Sequence, residues 1–571
     1  MRLVTAITSA LLISVSAAAS GFDVERARGR LRELTSKQRT KPNFESNEKA
    51  TKGSASGPQF LNANTTKFAV NGSGIPEVDF DIGESYAGSL PISTNPDEQG
   101  NLFFWFFPSK NPAASKEIVI WLNGGPGCSS LAGLLQENGP FTWQYGTYKP
   151  VENPWGWNTL TNMIWVEQPV GTGFSTGPIT ANNEEDVAAQ FNGFWRSFVD
   201  TFGLHDYKVY VTGESYAGRY CPYISSAMLD ANDTTYFDLA GMMIYDPSIN
   251  NMGVQSVIPL VQFVDYWGGL FPFNDTFRAN LHAHDKSCGF SAYVEEYLVY
   301  PPKGPQPSED NLPGAFDADC YDIFTDVIEA TISLNPCFSF YHVATTCPLA
   351  WDVLGFPGST LFTPEGAEVY FDRTDVKNAI HAPKDIHWSQ CAERYVFANM
   401  DSSEDSISAV LPHVIEATQN VIISHGALDM ILLANGTLLG IQNMTWGGKL
   451  GFRNRPTQPF YVPASNIWTS PMSLAAEGVF GTVISERGLT YVGVSLAGHM
   501  VPQFAPSAAY RQLEFLLGRV DCLNCTVPFT TDRPVSPQSK QPMGNGTAPQ
   551  GWSGKGADYL RRIRGRGGIG A

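Results

Sequence analysis

The chain reads as an α/β fold with a central, mostly parallel sheet and an inserted, disulfide-stapled cap subdomain. Short apolar runs recur at Ile118–Leu122, Met163–Val166, Tyr207–Thr212, Gly241–Tyr245, Val421–Ser424 and Tyr491–Ser495. Near-continuous apolar runs of this length suit strands covered on both faces. Between two of them, Asn183 to Phe202 has helical periodicity, with Val187, Phe191, Phe194, Trp195, Phe198 and Phe202 on one face. Asn183 is placed to cap that helix, and Glu184, Glu185 and Asp186 suit its positive end. Strands alternating with helices make an α/β sheet. Phe103–Phe107 reads as one strand of an N-terminal hairpin. The rhythm breaks from 250 to 363, a Pro-rich segment holding Cys288, Cys320, Cys337 and Cys347.

The remaining boundaries follow from composition. Arg2, the apolar Leu3–Val15 and Ala17-Ala18-Ala19 read as an export signal over residues 1–19. Residues 20–57, with Arg26, Arg28, Arg30 and Arg32 alternating, read as a basic pro-segment or flexible arm. The core is expected over 58–249 and 364–525, and 526–571, rich in Pro, Gly, Ser and Gln, as a disordered tail. The 571 residues carry 37 Lys and Arg against 55 Asp and Glu, a net charge of −18. Such an acidic body lacks the basic face that phosphates require, so no nucleic-acid partner is expected. No later apolar stretch is long enough for a membrane span. The expected location is therefore extracellular or vacuolar. Asn-x-Ser/Thr sequons at Asn64, Asn71, Asn232, Asn274, Asn435, Asn443, Asn524 and Asn545 agree with export as glycosylation sites. The nine cysteines allow up to four disulfides and one free thiol, with the pairing open. They form no zinc spacing, and His282 and His284 have no evident third ligand, so no metal and no cofactor are expected.

The hexapeptide Gly-Glu-Ser-Tyr-Ala-Gly occurs twice, at 83–88 and 213–218. Its small residues permit a sharp strand-to-helix turn that exposes the serine oxygen. Tyr207–Thr212 precedes Ser215 as the strand such a turn needs. Ser85 instead lies between alternating Val78–Ile82 and Pro91, in an edge hairpin with no room for a helix. Ser215 is therefore the expected nucleophile. Downstream, Asp429 follows the strand at Val421–Ser424 and His499 follows the strand at Tyr491–Ser495. Both lie just past a strand's carboxyl end, where open α/β sheets place their sites. In the order Ser, Asp, His, His499 would take the serine proton and Asp429 would orient the imidazole.

Longer blocks carry a resemblance. Trp121-Leu122-Asn123-Gly124-Gly125-Pro126-Gly127-Cys128-Ser129-Ser130, Glu137-Asn138-Gly139-Pro140, Asn153–Asn158, Gln168–Ser175, Gly213–Tyr220 and Gly498–Pro502 resemble the serine carboxypeptidases of the α/β-hydrolase fold, secreted fungal members above all. The likeness covers nearly all of Tyr86 to Cys522. It implies hydrolysis of the last peptide bond of peptides and proteins through an acyl-enzyme. It implies an oxyanion hole from the Gly125 and Tyr216 amides. It also implies a socket for the substrate's terminal carboxylate, made by Asn123, Gly124, Glu137 and Glu214 with Trp121 in support, a leaving-residue pocket lined by Met500, and a Cys128–Cys391 disulfide. Two adjoining, partly buried acids raise one pKa strongly, and a carboxyl donates to a carboxylate only when protonated. Cleavage is therefore expected to be favoured at acidic pH.

The sequence departs from many relatives at the acid turn, where Ala427 and Leu433 stand in place of an Asp and an Asn. Cys221 is expected to be a buried thiol without a catalytic role. Two other readings share the fold. An acyltransferase would be expected to alter Asn123 or Glu214, and both are retained. An inactive binding glycoprotein would be expected to lack a triad member, and none is missing.

Overall fold

The computed structural model describes residues 58–532 apart from position 96 and residues 309–310, 313–317, 356–363 and 466–476. The expected export signal, the basic arm, Asn545 and most of the expected tail lie outside the described residues.

The strands of one large sheet are β1 (Tyr86–Pro91), β2 (Asn101–Phe107), β3 (Glu117–Leu122), β4 (Asn162–Glu167), β5 (Lys208–Glu214), β6 (Asp238–Tyr245), β7 (Val421–Gly426), β8 (Gln458–Val462), β9 (Gly478–Glu486) and β10 (Leu489–Val494). Their spatial order is β1-β2-β4-β3-β5-β6-β7-β10-β9-β8. The pairings from β4 across to β10 are parallel, and both margins are antiparallel. Every residue of β3, β4 and β7 is buried, as two-sided coverage requires.

Helix α1 (Glu184–Phe202) starts where Asn183 accepts from the Asp186 amide and stops at Gly203 in the left-handed region. Its Phe198 and Phe202 pack edge-on against Phe104 and Phe106 of β2. Burying each such ring contributes about 1.5–3 kcal/mol. Helix α2 (Ala217–Asp230) leaves the carboxyl end of β5 and packs beside α1.

Between β6 and β7 the chain forms helices α3 (Leu260–Tyr266), α4 (Asp275–Cys288), α5 (Phe290–Tyr297) and α6 (Ala318–Leu334). They share an apolar cluster that includes Val264, Phe271, Leu281, Phe290, Ile323 and Val327. Disulfides Cys288–Cys320 and Cys337–Cys347 close this segment on itself. A third disulfide is Cys522–Cys525, and Cys221 is a free, buried thiol.

One boundary is corrected. Residues 526–532, expected within the disordered tail, pack on helix α7 (Pro506–Leu516). The fully buried Arg511 donates to Val527 O (2.8 Å) and pairs with Glu514, while Phe529 is buried against Trp155 and Tyr510. Composition marks this stretch as tail, but one aromatic and two buried charges hold it down.

Candidate active site

Three loops at the carboxyl ends of β3, β5 and β10 meet the segment between β6 and β7 around one cavity of about 700 Å³. Asn123, Gly124, Gly125, Glu137, Glu214, Ser215, His499 and Met500 all line it.

Ser215 sits on the turn between β5 and α2 with φ +64°. A non-glycine residue in the left-handed region costs about 1–3 kcal/mol and persists only where its surroundings impose it. Here the Ser215 amide donates to Tyr245 O (2.9 Å), and its carbonyl accepts from Gly218 and Ser248 (both 2.9 Å). Ser85, by contrast, lies at the foot of edge strand β1. Its carbonyl accepts from Val70, and no helix follows it.

His499 Nδ1 contacts Asp429 Oδ2 at 2.7 Å, both groups being buried. Asp429 Oδ1 accepts from the amides of Ile431 (2.9 Å) and Leu432 (3.4 Å). Burial is the largest single influence and lowers the His499 pKa, but the neighbouring carboxyls, Asp429 foremost, together raise it.

The loop after β3 lies against the Ser215 turn. A Cβ on Gly124 would stand 2.3 Å from the Tyr216 amide nitrogen and 2.8 Å from Ser215 Cβ, so this position admits only glycine. Gly125 has φ +111°, also a glycine conformation. Among the described residues, neither the Gly125 nor the Tyr216 amide donates to another protein group. Cys128 of this loop is bonded to Cys391.

Beside these amides is a buried polar network. Trp121 Nε1 donates to Asn123 Oδ1 (2.8 Å), and Asn123 Nδ2 donates to Glu214 Oε1 (2.7 Å) and Glu137 Oε1 (3.4 Å). Glu137 Oε2 and Glu214 Oε2 are buried and receive no hydrogen bond from an amide or hydroxyl donor. Burial pushes the Glu137 carboxyl up to about 7, against the hydrogen bonds from Glu214 and Asn123. Burial, then the charge of Glu137, pushes Glu214 well above the usual carboxylate range. Two such acids at contact share protons rather than both ionising.

A match to the serine carboxypeptidase family model over residues 76–518 decides the assignment. The chain belongs to the serine carboxypeptidase family. It is 55% identical to a probable serine carboxypeptidase of Arthroderma benhamiae over 475 residues, covering 81% of this chain and 88% of the relative. It is 47% identical to serine-type carboxypeptidase F of Aspergillus niger, covering 81% and 89% respectively. Its fold matches a prohormone-processing carboxypeptidase from Saccharomyces cerevisiae with TM-score 0.63 at 24% identity, covering 81% of this chain and 98% of that one. The expected fold class, an α/β-hydrolase with a largely parallel sheet, agrees with these relatives.

Two features beside the candidate triad were not singled out in the sequence, one of them within the expected cap. The loop closed by Cys337–Cys347 walls the cavity and touches both distal loops. Tyr341 O accepts from the His499 amide (2.7 Å), Phe340 O from Met430 (2.9 Å), and the Val343 amide donates to Leu428 O (3.0 Å). The aromatic run Phe338, Phe340 and Tyr341 between two cysteines is the only sequence signal for it. The other missed residue is Asp246, fully buried directly after β6. It meets the same criterion, an acid just past a strand, that selects Asp429. His282 lies 3.3 Å from Asp265 on the exposed side of α4.

Proposed function

We propose that this enzyme is a secreted serine-type carboxypeptidase that hydrolyses the last peptide bond of peptides and proteins through Ser215, His499 and Asp429. The supporting observation is the adjacency, in one cavity, of the Ser215 turn and the buried Asn123–Glu137–Glu214 network. A chain end brings a carboxylate, and Asn123 with a protonated acid pair is a neutral donor set for it. Burying that carboxylate against ionised acids would be prohibitive.

In the proposed reaction Ser215 Oγ attacks the scissile carbonyl while His499 takes its proton. Asp429 holds the ring in the tautomer that accepts at Nε2 and stabilises the imidazolium. The Gly125 and Tyr216 amides receive the negative oxygen, each such donor lowering the barrier by about 3 kcal/mol. His499 then protonates the departing amino acid, and water, deprotonated by the same imidazole, hydrolyses the acyl-enzyme. Met500 and the 338–342 aromatic segment wall the space available to substrate side chains. Substrate binding is favoured at acidic pH, because the neutral acid pair is lost as Glu137 ionises. The inserted segment 250–363 acts as the cap of this site.

Secretion is supported by the disulfides and by sequon exposure. Asn64, Asn71, Asn232, Asn274 and Asn524 are exposed, while Asn435 and Asn443 are half-buried. No helix among the described residues is long and apolar enough to cross a membrane. The test is timed release of C-terminal amino acids by S215A and S85A variants. S215A is expected to be inactive and S85A active, and the reverse would refute the choice of nucleophile.

A further inference from the structure

Asp246 occupies a place that the proposed triad leaves unexplained. It follows the last residue of β6, the strand between β5, which leads to Ser215, and β7, which leads to Asp429. Its φ is +43°, and its amide donates to Ser424 O (2.8 Å). Its Oδ1 accepts from the Gly426 amide (2.8 Å), and its Oδ2, buried, has no hydrogen-bond partner. One carboxylate oxygen each of Asp246 and Asp429 and a ring nitrogen of His499 all lie within 4.8 Å of one another. No other residue of the acid turn offers Asp429 a polar side chain from the positions of Ala427 and Leu433.

We propose that Asp246 is a further positioning residue of the triad, a neutral carboxylic acid whose Oδ2–H donates to the Asp429 carboxylate and fixes it behind His499. This rests on the triad reading given above. Two fully buried carboxylates at contact cannot both carry a charge, so the pair holds a proton. Asp429 receives two amides and the His499 ring, whereas Asp246 receives one amide. Hydrogen bonds to the charged form favour that form, so the charge settles on Asp429 and the proton on Asp246.

The surrounding groups agree. Burial first, then the charge of Asp429, raises Asp246 well above the usual carboxylate range, with His499 and the Gly426 amide opposing. The other titratable groups facing it are Glu214 on β5, Tyr245 on β6, His425 on β7 and Tyr491 on β10. His425 Nδ1 lies 2.9 Å from Asp246 Oδ1, but neither ring nitrogen is aligned for a hydrogen bond. Burial pushes His425 down to about 4, so it brings no positive charge to ionise Asp246.

The test compares the full-length enzyme with D246N, whose amide donates as the acid does, and D246L, which donates nothing. Losing one hydrogen bond to a charged group corresponds to a drop in kcat of about 10- to 100-fold. D246L is expected to show that drop with KM for a peptide unchanged, and D246N to recover most of it with the acid limb of the kcat–pH profile in place. If D246N instead moves that limb to lower pH, Asp246 carries a charge and the proposal fails. Equal kcat in D246L and wild type also refutes it. Should D246L not fold, the infrared difference spectrum between wild type and D246N decides. Loss of a protonated-carboxyl band supports the proposal, and loss of a carboxylate band overturns it. A D429N control that stays fully active would sink the triad reading itself and Asp246's role with it, whereas the infrared band reports the Asp246 proton independently.

Discussion

Replacing Glu137 with Gln isolates the group proposed to make chain-end binding depend on pH. Its carboxyl, raised by burial to about 7, stays neutral at acidic pH and loses its proton as pH rises through that value. Below it, the Glu137–Glu214 pair presents no net charge to a substrate carboxylate. Above it, the pair is an anion facing an anion. If only the protonated pair binds, the apparent Kd is the intrinsic value divided by the protonated fraction. That fraction is about 0.9 at pH 6 and about 0.1 at pH 8, so Kd rises about tenfold, or about 1.4 kcal/mol. The assay is calorimetric titration of a short peptide into S215A, where no turnover confuses binding with chemistry. The S215A protein should show the tenfold rise, and S215A/E137Q should be flat over the same range. A rise of equal slope in the double variant would show that Glu137 is not the titrating group, and the pH argument would fall.

Other outcomes follow from the same contacts. G124A should lower kcat about 100-fold or more, because its methyl group would stand 2.3 Å from the Tyr216 amide nitrogen and displace a proposed oxyanion donor; steady-state kinetics would check this. N123A should cut kcat/KM for free-acid peptides about 10- to 100-fold, the worth of a hydrogen bond to a charged group, and change C-terminal amides far less. R511M leaves Glu514 fully buried with only the Thr530 donors, and should cost about 3–5 kcal/mol in urea unfolding. An unchanged unfolding midpoint would contradict that pairing argument.

The parallel middle of the sheet was legible because its strands are buried on both faces and their apolar runs leave no ambiguity. Helix α1 was legible for the complementary reason, a single aromatic face and a capping Asn183. The hairpin β8–β9 was not read. Its strands are half-exposed and carry Pro459, Gly478 and Gly481, so neither continuous apolarity nor strict alternation marks them. A cap over 250–363 was expected, but the wall at 337–347 was not singled out within it because its role depends on backbone contacts to residues about 90 to 160 positions away. Asp246 was readable but unread: Tyr245-Asp246-Pro247 looks like an ordinary turn until the fold sets it beside Asp429. The ordered 526–532 segment shows composition yielding to a few specific contacts, Phe529 and the Arg511–Glu514 pair above all.

Timed amino-acid release from one peptide, presented as the free acid and as its C-terminal amide, shows whether the enzyme reads the end of the chain. At acidic pH the free acid should be cleaved about tenfold faster or more, one hydrogen-bonded charge being at stake, and the amide should gain ground as pH rises. Equal rates for the two peptides across the pH range would show that nothing beside Ser215 reads the end of the chain.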